Sequence, residues 1–142
     1  MLIISNKDLV TFTNTVFNQD CHRKTETLNY PKIPNDDCRV MFLRGFIDGD
    51  GSFRVSKNSN YYRFGIFCKS YNFISGLKLD LTNILGKEPS IYNGNTIEIA
   101  SQYDNYKLFK YLYEKINNNY YMKRKYERAK QHIIAFECKQ KI

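Results

Sequence analysis

The segment Leu43-Arg44-Gly45-Phe46-Ile47-Asp48-Gly49-Asp50-Gly51, with Met41-Phe42 before it and Ser52-Phe53 after, joins a helix to a strand. Upstream, Asn35 is a cap residue, and Asp36 and Asp37 set negative charge against the positive end of the helix dipole. Val40, Leu43, Phe46 and Ile47 recur at helical spacing, which predicts a helix over 36–48 that stops at Gly49-Asp50-Gly51. Downstream, Phe53 and Val55 alternate with Ser52, Arg54 and Ser56, the period of a half-buried strand over 52–57. Gly45 and Gly49 lie four apart on one helix face, leaving a bare strip where a second helix backbone can approach. Asp48 and Asp50 flank Gly49 at the helix end, so a carboxylate there can be aimed off the tip. Taken alone, Asp-Gly-Asp-Gly reads more readily as a helix stop with two solvated acids.

The chain on either side supplies the context. Asn58-Ser59-Asn60 is a turn, and Tyr62, Phe64, Ile66 and Cys68 alternate along a returning strand. Ser70 caps a helix carrying Phe73, Ile74, Leu77, Leu81, Ile84 and Leu85, closed by Gly86 and Pro89. Ser90-Ile91-Tyr92, Asn93-Gly94 and 96–100 read as a hairpin. Helices are predicted at 104–117 and 123–138, separated by Asn117-Asn118-Asn119. From residue 35 the order is αββαββα and then a final helix. This is an α+β plan with four antiparallel strands, helices on one face and the other face open.

Motif and topology together resemble the LAGLIDADG homing endonucleases over roughly residues 30–139. The resemblance implies a half-domain with a saddle-shaped sheet and hydrolysis of phosphodiesters in double-stranded DNA, sequence-specifically and with Mg²⁺ or Mn²⁺. Asp50 matches the metal-binding acid of the motif, while Asp48 matches the acid with a structural role. In Met122-Lys123-Arg124-Lys125-Tyr126-Glu127-Arg128, Lys125 is the closest match to an assisting catalytic lysine. Phe42, Gly45, Phe46 and Gly49 would form the interface between paired motif helices. Strand alternation puts Ser52, Arg54, Ser56, Arg63, Tyr92, Thr96 and Glu98 on the open face, with Lys57 near the first strand's tip, as DNA-contacting residues. Arg54 and Arg63 would read guanine edges or touch phosphate. The family contains intron-encoded mobile elements, and also RNA maturases, which makes intron RNA an alternative partner and a cleavage-inactive DNA-binding protein an alternative function.

Composition agrees with a polyanion partner. The chain has 142 residues, 22 Lys and Arg against 14 Asp and Glu, and a formal charge of +8. Cys21, Cys38, Cys68 and Cys138 show no metal-binding spacing and read as thiols in a reducing compartment. No apolar run approaches the roughly 20 residues a membrane span needs. A soluble, intracellular protein is expected, in a cytoplasm, a phage-infected host or an organelle matrix. The abundance of Asn, Lys, Tyr and Ile suggests an A+T-rich genome.

Only one motif is present, and residues 1–34 precede the domain of 35–142. Leu2-Ile3-Ile4-Ser5, a helix through Leu9, Phe12, Val16 and Phe17, and then Cys21-His22-Arg23-Lys24-Thr25-Glu26 repeat the order of 97–101, a helix and 123–127. Lys24 would be the counterpart of Lys125, and 27–34 resembles the connector of two-motif family members. The leader reads either as the tail of a missing first half-domain or as an accessory helix and loop. The partner is then a second copy, giving a homodimer, or a separate first-half subunit.

Overall fold

The computed structural model describes residues 11, 15, 24–55, 62–115 and 120–140. The expected strand at 2–5, the turn at 58–60 and Asn117-Asn118-Asn119 lie outside the described residues, as does the first helix apart from Thr11 and Thr15. Ser56, Lys57 and Cys21 lie outside them too. The elements are α1 (Lys24–Thr27), α2 (Asp36–Asp50), β1 (Gly51–Val55), β2 (Tyr62–Phe67), α3 (Tyr71–Leu85), β3 (Ser90–Tyr92), β4 (Thr96–Ile99), α4 (Gln102–Tyr113) and α5 (Lys123–Gln140).

Local chemistry explains most boundaries. The Asn35 side chain accepts from the Cys38 amide at 2.8 Å, satisfying an orphan donor at the start of α2. Ser70 and Ser101 do the same for Phe73 and Asp104, each at 3.3 Å. Gly86 ends α3 in the left-handed conformation, φ 78°, which costs a glycine nothing. Asn93 and Gly94 also have positive φ, 52° and 69°, and the Asn95 amide closes that turn onto the Tyr92 carbonyl.

Several expected boundaries shift. Helix α2 continues through Gly49 and Asp50 instead of ending at 48, because its last turn is closed by the Gly51 amide donating to the Ile47 carbonyl. Strand β1 starts at once at Gly51. Helix α4 occupies Gln102–Tyr113, starting where Ser101 caps it and stopping short of 117 with Glu114 as its cap residue.

The strands form one antiparallel sheet in the order β1-β2-β4-β3. One face carries Phe53, Tyr62, Phe64, Ile66, Ile97 and Ile99, all buried. Leu43 and Ile47 of α2, Ile74 and Leu77 of α3, and Leu108 and Leu112 of α4 complete the same core. No described helix is long and apolar enough to cross a membrane.

The segment before α2 is packed onto the domain. Ser70 donates to the Leu28 carbonyl at 2.5 Å, and the Tyr30 hydroxyl donates to Asp80 at 2.7 Å. The Tyr30 ring meets Phe42 and Phe73 edge-on, with centroids 5.5 and 5.3 Å away. A Cβ at Gly76 would come within 2.3 Å of Tyr30, so only glycine admits this ring.

Candidate metal centre and nucleic-acid interface

The helix-to-strand junction is tight. A Cβ on Gly51 would sit 2.6 Å from the Ile47 carbonyl oxygen and 3.1 Å from the Phe64 ring. A glycine is therefore required for β1 to leave α2 without a linker, and this abrupt exit places Asp50 at the sheet's edge.

The two acids of the segment have opposite environments. Asp48 is 7% exposed and accepts from the Met122 amide at 2.5 Å and the Tyr113 hydroxyl at 3.3 Å. It fastens the segment leading into α5. Asp50 is exposed, and no donor among the described residues reaches hydrogen-bonding distance of its carboxylate. It borders a groove over the open sheet face that Ser52, Arg54, Arg63, Thr96 and Glu98 also line.

Lys125 reaches the same junction from α5. Its ammonium donates to the carbonyls of Gly51 at 2.6 Å, Ile47 at 3.0 Å and Gly49 at 3.3 Å. Burial lowers its pKa, as does Arg124, against the opposing pull of Asp48 and Asp50. The structure thus makes Lys125 a positive cap on the negative end of the helix that presents Asp50.

Strand register arranges the open face in rows. Arg54 pairs with Arg63 across β1 and β2. Ser52, Gly65, Glu98 and Ser90 form a second row, and Phe67, Thr96 and Tyr92 a third. Arg63 is ion-paired with Glu98 at 2.9 Å, whereas Arg54 is exposed with no ion pair among the described residues. Phe67 and Tyr92 are 53% and 51% exposed. Phe67 was missed from the sequence, although alternation from Phe64 and Ile66 already points it outward. Ser56 and Lys57 cannot be placed in these rows, since both lie outside the described residues.

Behind Asp50, no described residue covers the Gly45–Gly49 strip on the outer face of α2. A Cβ at Gly45 or Gly49 would meet nothing within 4 Å. Phe42 and Phe46 flank the strip, stacked at 6.2 Å, with Phe46 also 4.7 Å from Phe73. On the opposite side of α2, Arg44 is 0% exposed, its guanidinium donating twice to the Leu112 carbonyl, at 2.8 and 2.5 Å, and lying over Tyr113 and Tyr121. Nothing local in the sequence signals this burial, because the accepting carbonyl is far along the chain.

The profile of the LAGLIDADG-like domain matches residues 37–130. The chain belongs to that family. No curated protein matches it. Among solved structures it is similar to the group I intron-encoded homing endonuclease I-CeuI complexed with DNA, at 12% identity and a TM-score of 0.52, over 94% of this chain and 65% of that one. It is also similar to the homing endonuclease I-CvuI in complex with an uncleaved DNA target in the presence of Mg, at 18% identity and a TM-score of 0.47, over 69% of this chain and 65% of that one. The chain thus spans about 65% of the length of each. At such identities the likeness concerns the fold. In LAGLIDADG terms, α2 is the motif helix and the β1-β2-β4-β3 sheet is the saddle.

Proposed function

We propose that this LAGLIDADG chain is one subunit of a sequence-specific double-stranded DNA endonuclease that hydrolyses phosphodiesters with Mg²⁺ or Mn²⁺. One observation carries the reading. Asp50 is an exposed carboxylate at a helix tip, bordering the groove of the open sheet and adjoining a glycine strip that no described residue covers. A hard cation fits this donor set, because Mg²⁺ binds through one or two carboxylates and fills its remaining positions with phosphate oxygens and water. When bound, it would supply Lewis acidity to the phosphate and a more acidic water.

The chain's own residues do the rest. Asp50 would hold the cation from the helix tip, while Lys125 and Asp48 keep that tip in place. Gly45 and Gly49 would let a second motif helix approach, so that a second carboxylate arrives beside Asp50. The partner is a second copy or a separate first-half subunit. Residues 1–34, of which Leu28 and Tyr30 pack on the domain, would be either the tail and connector of such a half or an accessory helix and loop, preceding the endonuclease-like domain of 35–142. The basic charge, and the rows containing Arg54, Arg63 and Glu98, support duplex DNA as the ligand.

A second reading, a cleavage-inactive DNA-binding protein or RNA maturase, is favoured by Lys125. Its ammonium is engaged by three carbonyls, and Asp48 is buried under the Met122 amide, so Asp50 is the one motif acid bordering the groove. The experiment selects bound duplexes from a randomised pool in Ca²⁺ and then supplies Mg²⁺ or Mn²⁺. Cleavage by the wild type is expected, with Asp50→Asn retaining affinity within severalfold but cutting nothing. A wild type that binds and never cuts supports the second reading, and an Asp50→Asn variant that still cuts refutes the metal assignment.

A further inference from the structure

Arg124 and Arg128 are one turn apart on α5, so their side chains share a face. Both are exposed. With Lys125 they line a cavity of about 300 Å³ against Gly51, Ser52 and Phe53 of β1, the edge strand of the sheet. Ser52 also lines the open-face groove that Asp50 borders. The cavity and the groove therefore meet around the start of β1, one residue from Asp50.

Four lysines of the helical side are paired with acids: Lys78 with Glu88, Lys87 with Asp104, Lys110 with Glu114 and Lys115 with Asp36. Neither Arg124 nor Arg128 has an ion-pair partner among the described residues, and the Arg124 guanidinium makes only a weak contact with the Met122 sulfur at 3.7 Å. Lys125, the third cation, is committed to the helix end. Two permanently charged planar forks, open to solvent near the positive end of α5, are suited to a phosphate and cannot be switched off by deprotonation.

We propose that Arg124 and Arg128 are a clamp for a phosphodiester of the DNA strand that runs past Asp50. They are positioning residues, holding the backbone beside the helix tip and leaving base readout to the sheet. The inference rests on the endonuclease reading and adds to it a second point of hold on the strand, outside the saddle.

The test measures affinity for a selected duplex and for a random duplex in Ca²⁺, between about 50 and 200 mM salt. Each of Arg124→Gln and Arg128→Gln is expected to weaken both duplexes alike and to lower the salt slope by about 1, with about 2 for the pair. The base preference should stay unchanged, and the cleavage rate at saturating DNA should fall. The Arg124→Lys, Arg128→Lys pair should restore the slope, which a purely structural role would not predict. Both side chains are exposed, and thermal melts confirm that the variants fold. A wild type with a steep salt slope and a double Gln variant with the same slope overturns the clamp while leaving the endonuclease reading intact. A double variant with altered base preference overturns it too. A wild type that binds no duplex, or binds only RNA, overturns the endonuclease reading itself, and the clamp with it.

Discussion

The ammonium of Lys125 lies 2.6 Å from the carbonyl oxygen of Gly51, joining the first turn of the last described helix to the residue after the motif acid. The same ammonium reaches the carbonyl of Gly49 and that of Ile47, which also accepts from the Gly51 amide, so one side chain ties the last turn of α2 to the start of β1. The position of Asp50 thus depends on a residue more than 70 positions downstream.

Lys125→Met keeps much of the aliphatic stem and removes the charge and all three donors. Stability to urea is expected to fall by roughly 1–2 kcal/mol, and cleavage to fall much further than DNA affinity. Equal losses of binding and cleavage would show that Lys125 acts on the DNA and not on the helix tip.

Gly45→Leu should leave the monomer folded, since a side chain there meets no described residue and helix propensity improves. It is expected to keep two motif helices apart and so to abolish pairing and cleavage together. Sedimentation of wild type and variant, with and without DNA, reads this directly. A variant that still pairs would move the interface away from Gly45.

Arg63 and Arg54 should separate into different roles. The Glu98 ion pair holds the Arg63 guanidinium in one orientation, which suits base readout. Arg63→Ala is expected to weaken the selected site by about 1–3 kcal/mol and to relax preference at one base pair. Arg54, without such a tether, should contact phosphate, so Arg54→Ala lowers the salt slope by about 1 for every sequence. If neither variant changes affinity or slope, the open face does not hold the DNA.

His132 stacks on Tyr62 at 4.5 Å, and burial, together with Arg128, lowers its pKa below the ordinary 6.5. The folded chain therefore resists protonation that the unfolded chain accepts. The contribution to stability is full above pH 6.5 and is lost as pH falls from there through the folded value. The urea midpoint should decline as pH falls below about 6.5, and His132→Phe, which keeps the stack, should remove that part of the decline. An unchanged pH profile in the variant would assign the decline to other groups.

Much of this architecture is written locally. Asn35, Ser70 and Gly86 announce helix ends because each satisfies or terminates its own turn through atoms two to four residues away. Alternation in 62–66 and the Asn93-Gly94 turn name the strands and the hairpin for the same reason. The exit from α2 was less legible. Its continuation to Asp50 depends on Gly51 folding back on Ile47 and on Lys125 arriving from α5, neither of which appears in the motif's own periodicity.

Sequence alone separates the two sheet faces and exposes the glycine strip, since side-chain direction follows from strand and helix period. It also picks out Asp50 as the acid to watch, through the resemblance the motif carries. Only the tertiary structure distinguishes the two acids physically, burying Asp48 under the Met122 amide and leaving Asp50 open at the groove. Only it buries Arg44 against the Leu112 carbonyl, turns Lys125 inward and leaves Arg124 and Arg128 outward beside β1. These outcomes depend on partners 65 or more residues apart. Local propensity does not encode such distances, and packing of α4 and α5 against the sheet decides them.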